Sequence, residues 1–149
     1  MTARKRVALV FGTRPEAIKI APIALRLRES GDLDPLLIAT AQHRELMDQV
    51  LGVFGLEPDY DLDIMRPDQS PFEVTDRVLA RLRPVLERER PDWVVVQGDT
   101  TTAFASALVA FYLRLPLAHV EAGLRTYDKY HPFPEELNRH MISVLADLH

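Results

Sequence analysis

The apolar positions of this chain follow two rhythms. Short unbroken apolar runs recur at Val7 to Phe11, Leu36 to Thr40, Trp93 to Val96 and Pro116 to Val120. Such runs, rich in β-branched residues, predict strands buried on both faces, as in a parallel sheet. Between them the period changes to that of a helix. Phe72 to Arg90 carries a stripe of Val78, Leu79, Leu82, Val85 and Leu86. Leu46, Val50, Leu51 and Phe54 share one face of a helix expected from about Glu45 to Phe54. Ala103 to Leu113 is small and apolar throughout, which predicts a helix lying close on the sheet. A last helix is expected from Glu135 to about Ala146. Asp59 to Met65 alternates polar and apolar residues, as a short strand or an extended segment would. Pro22 falls inside the first helical pattern and predicts a kink or a restart there. Strands and helices alternate without repeat, low-complexity tract or linker. The expected fold is therefore α/β: a parallel sheet with right-handed crossovers and helices on both faces.

Where the strands end is where the chemistry gathers. Trp93-Val94-Val95-Val96 leads through Gln97-Gly98 into Asp99-Thr100-Thr101-Thr102, and the next strand ends at Glu121-Ala122-Gly123. In open α/β sheets ligands bind outside the carboxyl ends of the strands. Asp99 and Glu121 are both expected on that edge, on neighbouring strands. Asp99 reads equally as a helix cap, since Asp and Thr side chains accept from free N–H groups. An acidic group so close to an apolar strand end needs a partner or a task. For Glu121 the alternative to a functional role is an ion pair with Arg125.

The first strand leads into Gly12-Thr13-Arg14-Pro15-Glu16. Thr13 and Glu16 have capping-box spacing, and Pro15 suits a first helical turn. A helix start offers free N–H groups and the positive end of a dipole. With Arg14 there and Lys19 one turn on, it reads as an anion site, the alternative being solvated charge. The dinucleotide fingerprint G-x-G-x-x-G and the P-loop are both absent from the sequence. Gln42 and His43 follow the second strand, on the same sheet edge as Arg14, and are candidate substrate contacts. Glu135 and Arg139 lie four residues apart and share a helix face, where a surface salt bridge is the simplest reading.

Composition removes several classes. The chain has 149 residues, room for one ordinary domain, and 47% are hydrophobic. A formal net charge of -4 gives no support to nucleic-acid binding. Without cysteine there is no disulfide and no thiolate metal site. Five histidines show no H-E-x-x-H pattern, so no metal is expected. No apolar run approaches the ~20 residues of a membrane span. The basic start, Met1 to Arg6, leads into too short a run for a secretory signal, and a cytoplasmic protein is expected.

Six stretches, taken together and in order, carry a family resemblance. They are G-T-R-P-E-A-I-K at Gly12 to Lys19, A-Q-H-R-E-L-M-D-Q-V-L at Ala41 to Leu51, and P-D-Y-D-L-D-I-M at Pro58 to Met65. Q-G-D-T-T-T at Gln97 to Thr102, H-V-E-A-G-L-R-T at His119 to Thr126, and P-F-P-E-E-L-N-R at Pro132 to Arg139 complete the set. The chain resembles the non-hydrolysing UDP-N-acetylglucosamine 2-epimerases over nearly its whole length.

The resemblance implies the first Rossmann-like domain of a two-domain, GT-B type architecture, with the active site in the cleft between domains. Residues 1–149 are then expected to be the N-terminal domain, with the second domain absent and the piece alone inactive. The implied activity interconverts UDP-N-acetylglucosamine and UDP-N-acetylmannosamine by eliminating UDP to 2-acetamidoglucal and adding it back. The C2 proton has no adjoining carbonyl in the ring to acidify it, so such a route needs acid-base groups on both faces and cations on the diphosphate. It needs no nicotinamide or other cofactor. By resemblance Asp99, Glu121 and Glu135 are the acid-base carboxylates. Arg14 contacts the diphosphate, with Lys19 and Arg139 supporting and Gln42 and His43 nearby. A homodimer is expected of the complete protein. Two alternatives stay open: a hydrolysing epimerase that releases N-acetylmannosamine and UDP, and a non-catalytic nucleotide-sugar-binding or assembly domain.

Overall fold

The computed structural model describes residues 3–40 and 44–149. Ten elements alternate along them: β1 (Lys5–Phe11), α1 (Arg14–Glu29), β2 (Leu33–Ala39), α2 (Arg44–Val53), β3 (Tyr60–Asp61), α3 (Pro71–Glu89), β4 (Trp93–Gln97), α4 (Thr101–Tyr112), β5 (Leu117–Val120) and α5 (Glu135–Leu145). The five strands form one sheet in the order β3-β2-β1-β4-β5, parallel throughout. The chain grows outward from β1 in one direction, then returns to its other side with β4. That reversal puts the ends of β1 and β4 side by side at the switch point where such sheets bind ligands.

Each strand residue faces one of two cores. Val7, Leu9, Phe11, Leu37 and Val95 pack under Ala17, Ile20, Ala21 and Ala24 of α1 and Met47 and Leu51 of α2. Ala8, Val10, Ile38, Val94 and Val96 pack under Val78, Leu82 and Leu86 of α3, Ala103, Ala107 and Ala110 of α4, and Ile142 of α5. The alternation along β1 and β4 explains the unbroken apolar runs: both faces are inside.

The boundaries differ from expectation in instructive places. α1 runs unbroken through Pro22, correcting the kink or restart read at that position. Pro22 lies on the exposed face of the helix, where water can take the carbonyl that the missing N–H leaves free. β2 begins at Leu33 and includes Pro35, because β3 pairs with β2 only at Ile38 and Ala39. Along Pro35 the strand has a free edge, where proline costs no ladder bond. Of the alternating stretch Asp59 to Met65, only Tyr60–Asp61 is strand.

At the amino-terminal rim of the sheet, away from those strand ends, lies a charged cluster. Arg6 donates from Nε to Asp34 at 3.1 Å, pairs with Glu89 at the end of α3, and its N–H meets Asp92 at 2.7 Å. Tyr60 also donates to Glu89, and the Arg88 guanidinium lies 5.7 Å from the Tyr60 ring centroid. No helix among the described residues is long and apolar enough to cross a membrane.

Candidate active site

Three of the turns at the carboxyl edge of the sheet carry candidate residues: Gly12-Thr13 after β1, Gly98-Asp99-Thr100 after β4, and Glu121-Ala122 after β5. Gly12 is dictated by crowding. A Cβ there would come within 2.1 Å of the Thr40 Oγ1, and Thr40 is fully buried. Gly98 has φ of +74°, the left-handed region that glycine enters without penalty. Glu121 adopts φ of +64°, which costs a residue with a Cβ, and backbone strain of this kind collects at working sites.

The cap of α4 is Thr100, not Asp99: its hydroxyl accepts the Ala103 N–H at 3.0 Å. The Asp99 carboxylate is thereby left for another partner, Arg139, whose Nη2 donates to it at 2.7 Å. The other arm of the same guanidinium donates to the Glu121 carbonyl. Arg139 is 4% exposed, so its guanidinium is held out of water while Asp99 keeps some contact with it. Asn138, one residue earlier on α5, donates to the Asp99 carbonyl at 3.0 Å. From the opposite side the buried His119 donates from Nε2 to the Gly98 carbonyl at 2.6 Å. Burial holds the His119 pKa below the usual imidazole range, so the ring stays neutral and keeps that bond.

Glu121 does not pair with Arg125. Its carboxylate forms an ion pair with Lys19 and accepts from Gln97 Nε2 at 2.8 Å. The Lys19 hydrogen bond, chiefly, holds the Glu121 pKa below the usual carboxylate range. Glu121 is therefore an anion at neutral pH. Arg125 goes instead to the buried Glu136, which takes its Nε at 2.7 Å and the N–H groups of Thr126 and Tyr127 at 2.9 and 3.2 Å. This one carboxylate shapes the start of the loop between β5 and α5.

Asp99, Glu121, Lys19 and Arg139 line one cleft of about 500 Å³, floored by Gln97 and Glu16. Glu135 is elsewhere. It makes no salt bridge to Arg139, whose guanidinium is taken by Asp99. Instead it lines a separate pocket of about 220 Å³ with Met65, Gln69, Thr101, Thr102 and Asn138. Its Oε2 is buried with no hydrogen-bond partner among the described residues. The first turn of α4 stands between the two. Arg14 is exposed at the start of α1, with no ion-pair partner among the described residues. The backbone groups expected there for an anion are mostly occupied: Gly12 and Thr13 N–H go to Glu16 Oε2 at 2.8 and 2.7 Å, Pro15 has none, and Glu16 N–H meets Thr13. Gln42 and His43 lie outside the described residues. A larger groove of about 600 Å³ between α3 and α4 is lined by residues such as Leu79, Arg83 and Tyr112, remote from these groups.

Comparison with known proteins gives this cleft a context. The family model described as UDP-N-acetylglucosamine 2-epimerase matches residues 25–149. This chain belongs to that family. It is 53% identical over 144 residues to the UDP-N-acetylglucosamine 2-epimerase of Neisseria meningitidis serogroup A, covering 97% of this chain and 39% of that one. The crystal structure of a Neisseria meningitidis epimerase bound to UDP-GlcNAc superposes with a TM-score of 0.91 at 53% identity, over 95% of this chain and 38% of that one. Acinetobacter baumannii MurG, 18% identical, shares the fold alone, with a TM-score of 0.70 over 96% of this chain and 40% of that one. The architecture is that of the first domain of a GT-B fold. The chain spans about two fifths of the length of the epimerases it matches.

Within the epimerase fold, sequence reasoning overlooked Glu16 beyond its capping role, together with Gln97, His119, Asn138 and Glu136. All five are buried and polar. For Glu16 a signal was present. Its capping box follows directly on a buried strand, whereas the box of Ser70 and Glu73 follows a loop and is exposed.

Proposed function

We propose that this chain forms one wall of the active site of a UDP-N-acetylglucosamine 2-epimerase of the non-hydrolysing type, and that it is the first of two domains. The observation that carries this reading is the cleft in which an ionised Glu121, held by Lys19 and Gln97, stands beside an Asp99 oriented by Arg139. One carboxylate is kept ionised by a cation, and the other is presented by a buried guanidinium. Two differently held carboxyls of this kind suit a reaction that removes a proton and later returns one.

In the proposed reaction a base takes the C2 proton while the C1–O bond to UDP breaks, leaving 2-acetamidoglucal. UDP then adds back at C1, and a proton is delivered to the opposite face of C2. Asp99, Glu121 and Glu135 are the acid-base groups. Arg14 and Lys19 supply positive charge for the diphosphate, with Arg139 acting through Asp99. No cofactor takes part, the complete protein is a homodimer, and its setting is cytoplasmic. Glu135 must act from across the first turn of α4, which requires its buried, unpartnered oxygen to be uncovered. With only one wall present, water fills the cleft, where a charge pair at ~4 Å contributes about 1 kcal/mol. The chain by itself therefore folds but does not epimerise.

Two measurements test this. In a two-domain enzyme whose first domain is this sequence, Asp99→Asn, Glu121→Gln and Glu135→Gln each lower turnover by ~10²- to 10⁴-fold while folding is kept. Near-normal turnover of Glu121→Gln removes that residue from the mechanism. Product analysis by NMR in heavy water separates the hydrolysing alternative: free N-acetylmannosamine as the accumulating product overturns the non-hydrolysing assignment. Deuterium entering C2 with the 149-residue chain alone overturns the claim that two walls are needed.

A further inference from the structure

Glu16 is 3% exposed, yet a helix cap has no need to be buried. The same molecule shows the ordinary form of the motif. At the start of α3, Glu73 sits in solvent and accepts only from Ser70, through its N–H and hydroxyl, both at 2.8 Å. Glu16 accepts from Gly12 and Thr13 with one oxygen and, with the other, from the Thr100 hydroxyl at 2.8 Å, 84 residues away. All three partners are donors, as an ionised carboxylate requires. Burying a charge is costly unless it is fully hydrogen-bonded, and here it is. Burial also raises the Glu16 pKa against the pull of these bonds.

The consequence is geometric. Thr100 caps α4 and directly follows Asp99, while Gly12 and Thr13 directly precede Arg14. We infer that Glu16 is a positioning residue of the cleft: through Thr100 it fixes the turn that presents Asp99 against the turn that opens α1 and lines the cleft with Thr13 and Pro15. It touches neither Asp99 nor Arg139. By occupying the Gly12 and Thr13 N–H groups it also leaves an anion to be held by side chains rather than by the start of α1. The inference rests on reading the cleft as a nucleotide-sugar site, but its test needs no nucleotide, so the two can fail separately.

The test is NMR of the 149-residue chain in four forms: wild type, Glu16→Ala, Thr100→Val and Thr100→Ser. Amide exchange is followed from Gly98 to Ala103, together with the Arg139 guanidinium protons that report the bond to Asp99. Glu16→Ala and Thr100→Val are expected to lower protection of that turn about tenfold or more and to speed exchange of the Arg139 protons. Thr100→Ser keeps the hydroxyl and is expected to behave as wild type. A cap confined to α1 would disturb only the amides of α1. Unchanged Arg139 signals in Thr100→Val, or failure of Thr100→Ser to restore them, overturns the proposal. Should Glu16→Ala fail to fold, Glu16→Gln takes its place, and unchanged Arg139 signals in whichever Glu16 variant folds overturn the proposal, because Thr100→Val also removes the α4 cap.

Discussion

Removing the Arg139 guanidinium is the sharpest test of how the site is assembled. Arg139→Met keeps much of the stem and deletes two charge-assisted hydrogen bonds, to the Asp99 carboxylate and the Glu121 carbonyl. Hydrogen bonds to charged groups contribute about 1.5–3 kcal/mol each, so the pair sums to roughly 3–6 kcal/mol. That sum must be reduced. The Asp99 side chain is 31% exposed and regains water once its partner is gone. Glu121 is exposed as well, so its carbonyl is also rehydrated. A loss of about 2–4 kcal/mol is the expected outcome, somewhat under the ~3–5 kcal/mol for breaking a fully buried pair from one side, because Asp99 is partly exposed. Urea denaturation measures it directly, as a lower midpoint with the slope retained. Arg139→Lys reaches one acceptor but not both and falls between. The double variant Arg139→Met/Asp99→Asn should cost less than the sum of the two, because the second change removes the charge that the first strands. A loss under about 0.5 kcal/mol for Arg139→Met, or strict additivity in the double variant, would show that the clamp contributes nothing and refute the reasoning.

Three further outcomes follow from single observations. Gly12→Ala places a methyl against Thr40 and should destabilise by about 1–3 kcal/mol, with Thr40→Ala, which deletes the clashing oxygen, recovering part of it in a melting experiment. His119 has a depressed pKa, so below about pH 6.5 the unfolded chain binds a proton that the folded chain refuses; stability present above that pH is lost as pH falls, and His119→Gln should flatten the curve. Glu121→Gln should release Lys19, seen as faster exchange of its ammonium protons, and an unchanged Lys19 signal would contradict the ion pair.

Much of the fold was legible because its signals are local. Unbroken apolar runs marked the four longer strands, and stripes at helical spacing marked α2 and α3. Both depend only on neighbours in sequence, as do the two carboxylates at the ends of β4 and β5. What escaped depends on contacts across the chain. That Arg139 would choose Asp99 over Glu135, or Glu121 choose Lys19 over Arg125, cannot be read from i, i+4 spacing, since the preferred partners are 40 and 102 residues away. Pro22 misled for a related reason. A proline breaks an element only where its missing N–H would have been needed, and exposure is a property of the folded molecule.

The charged cluster around Arg6 lies at the rim opposite the cleft, and this separation bears on how such a domain can change over time. Groups that orient a reaction are often strained or buried at a cost to stability, so improving one property tends to damage the other. Here the two sit at opposite ends of the same strands. Arg6, Asp34, Glu89 and Asp92 can be exchanged for stronger or weaker networks without moving Asp99 or Glu121. A surface network of this kind gains value as temperature rises, because removing its charges from water becomes less costly. The domain thus has a thermostat that is mechanically remote from the candidate site, so adaptation to heat or cold need not disturb the turns that hold Asp99 and Glu121.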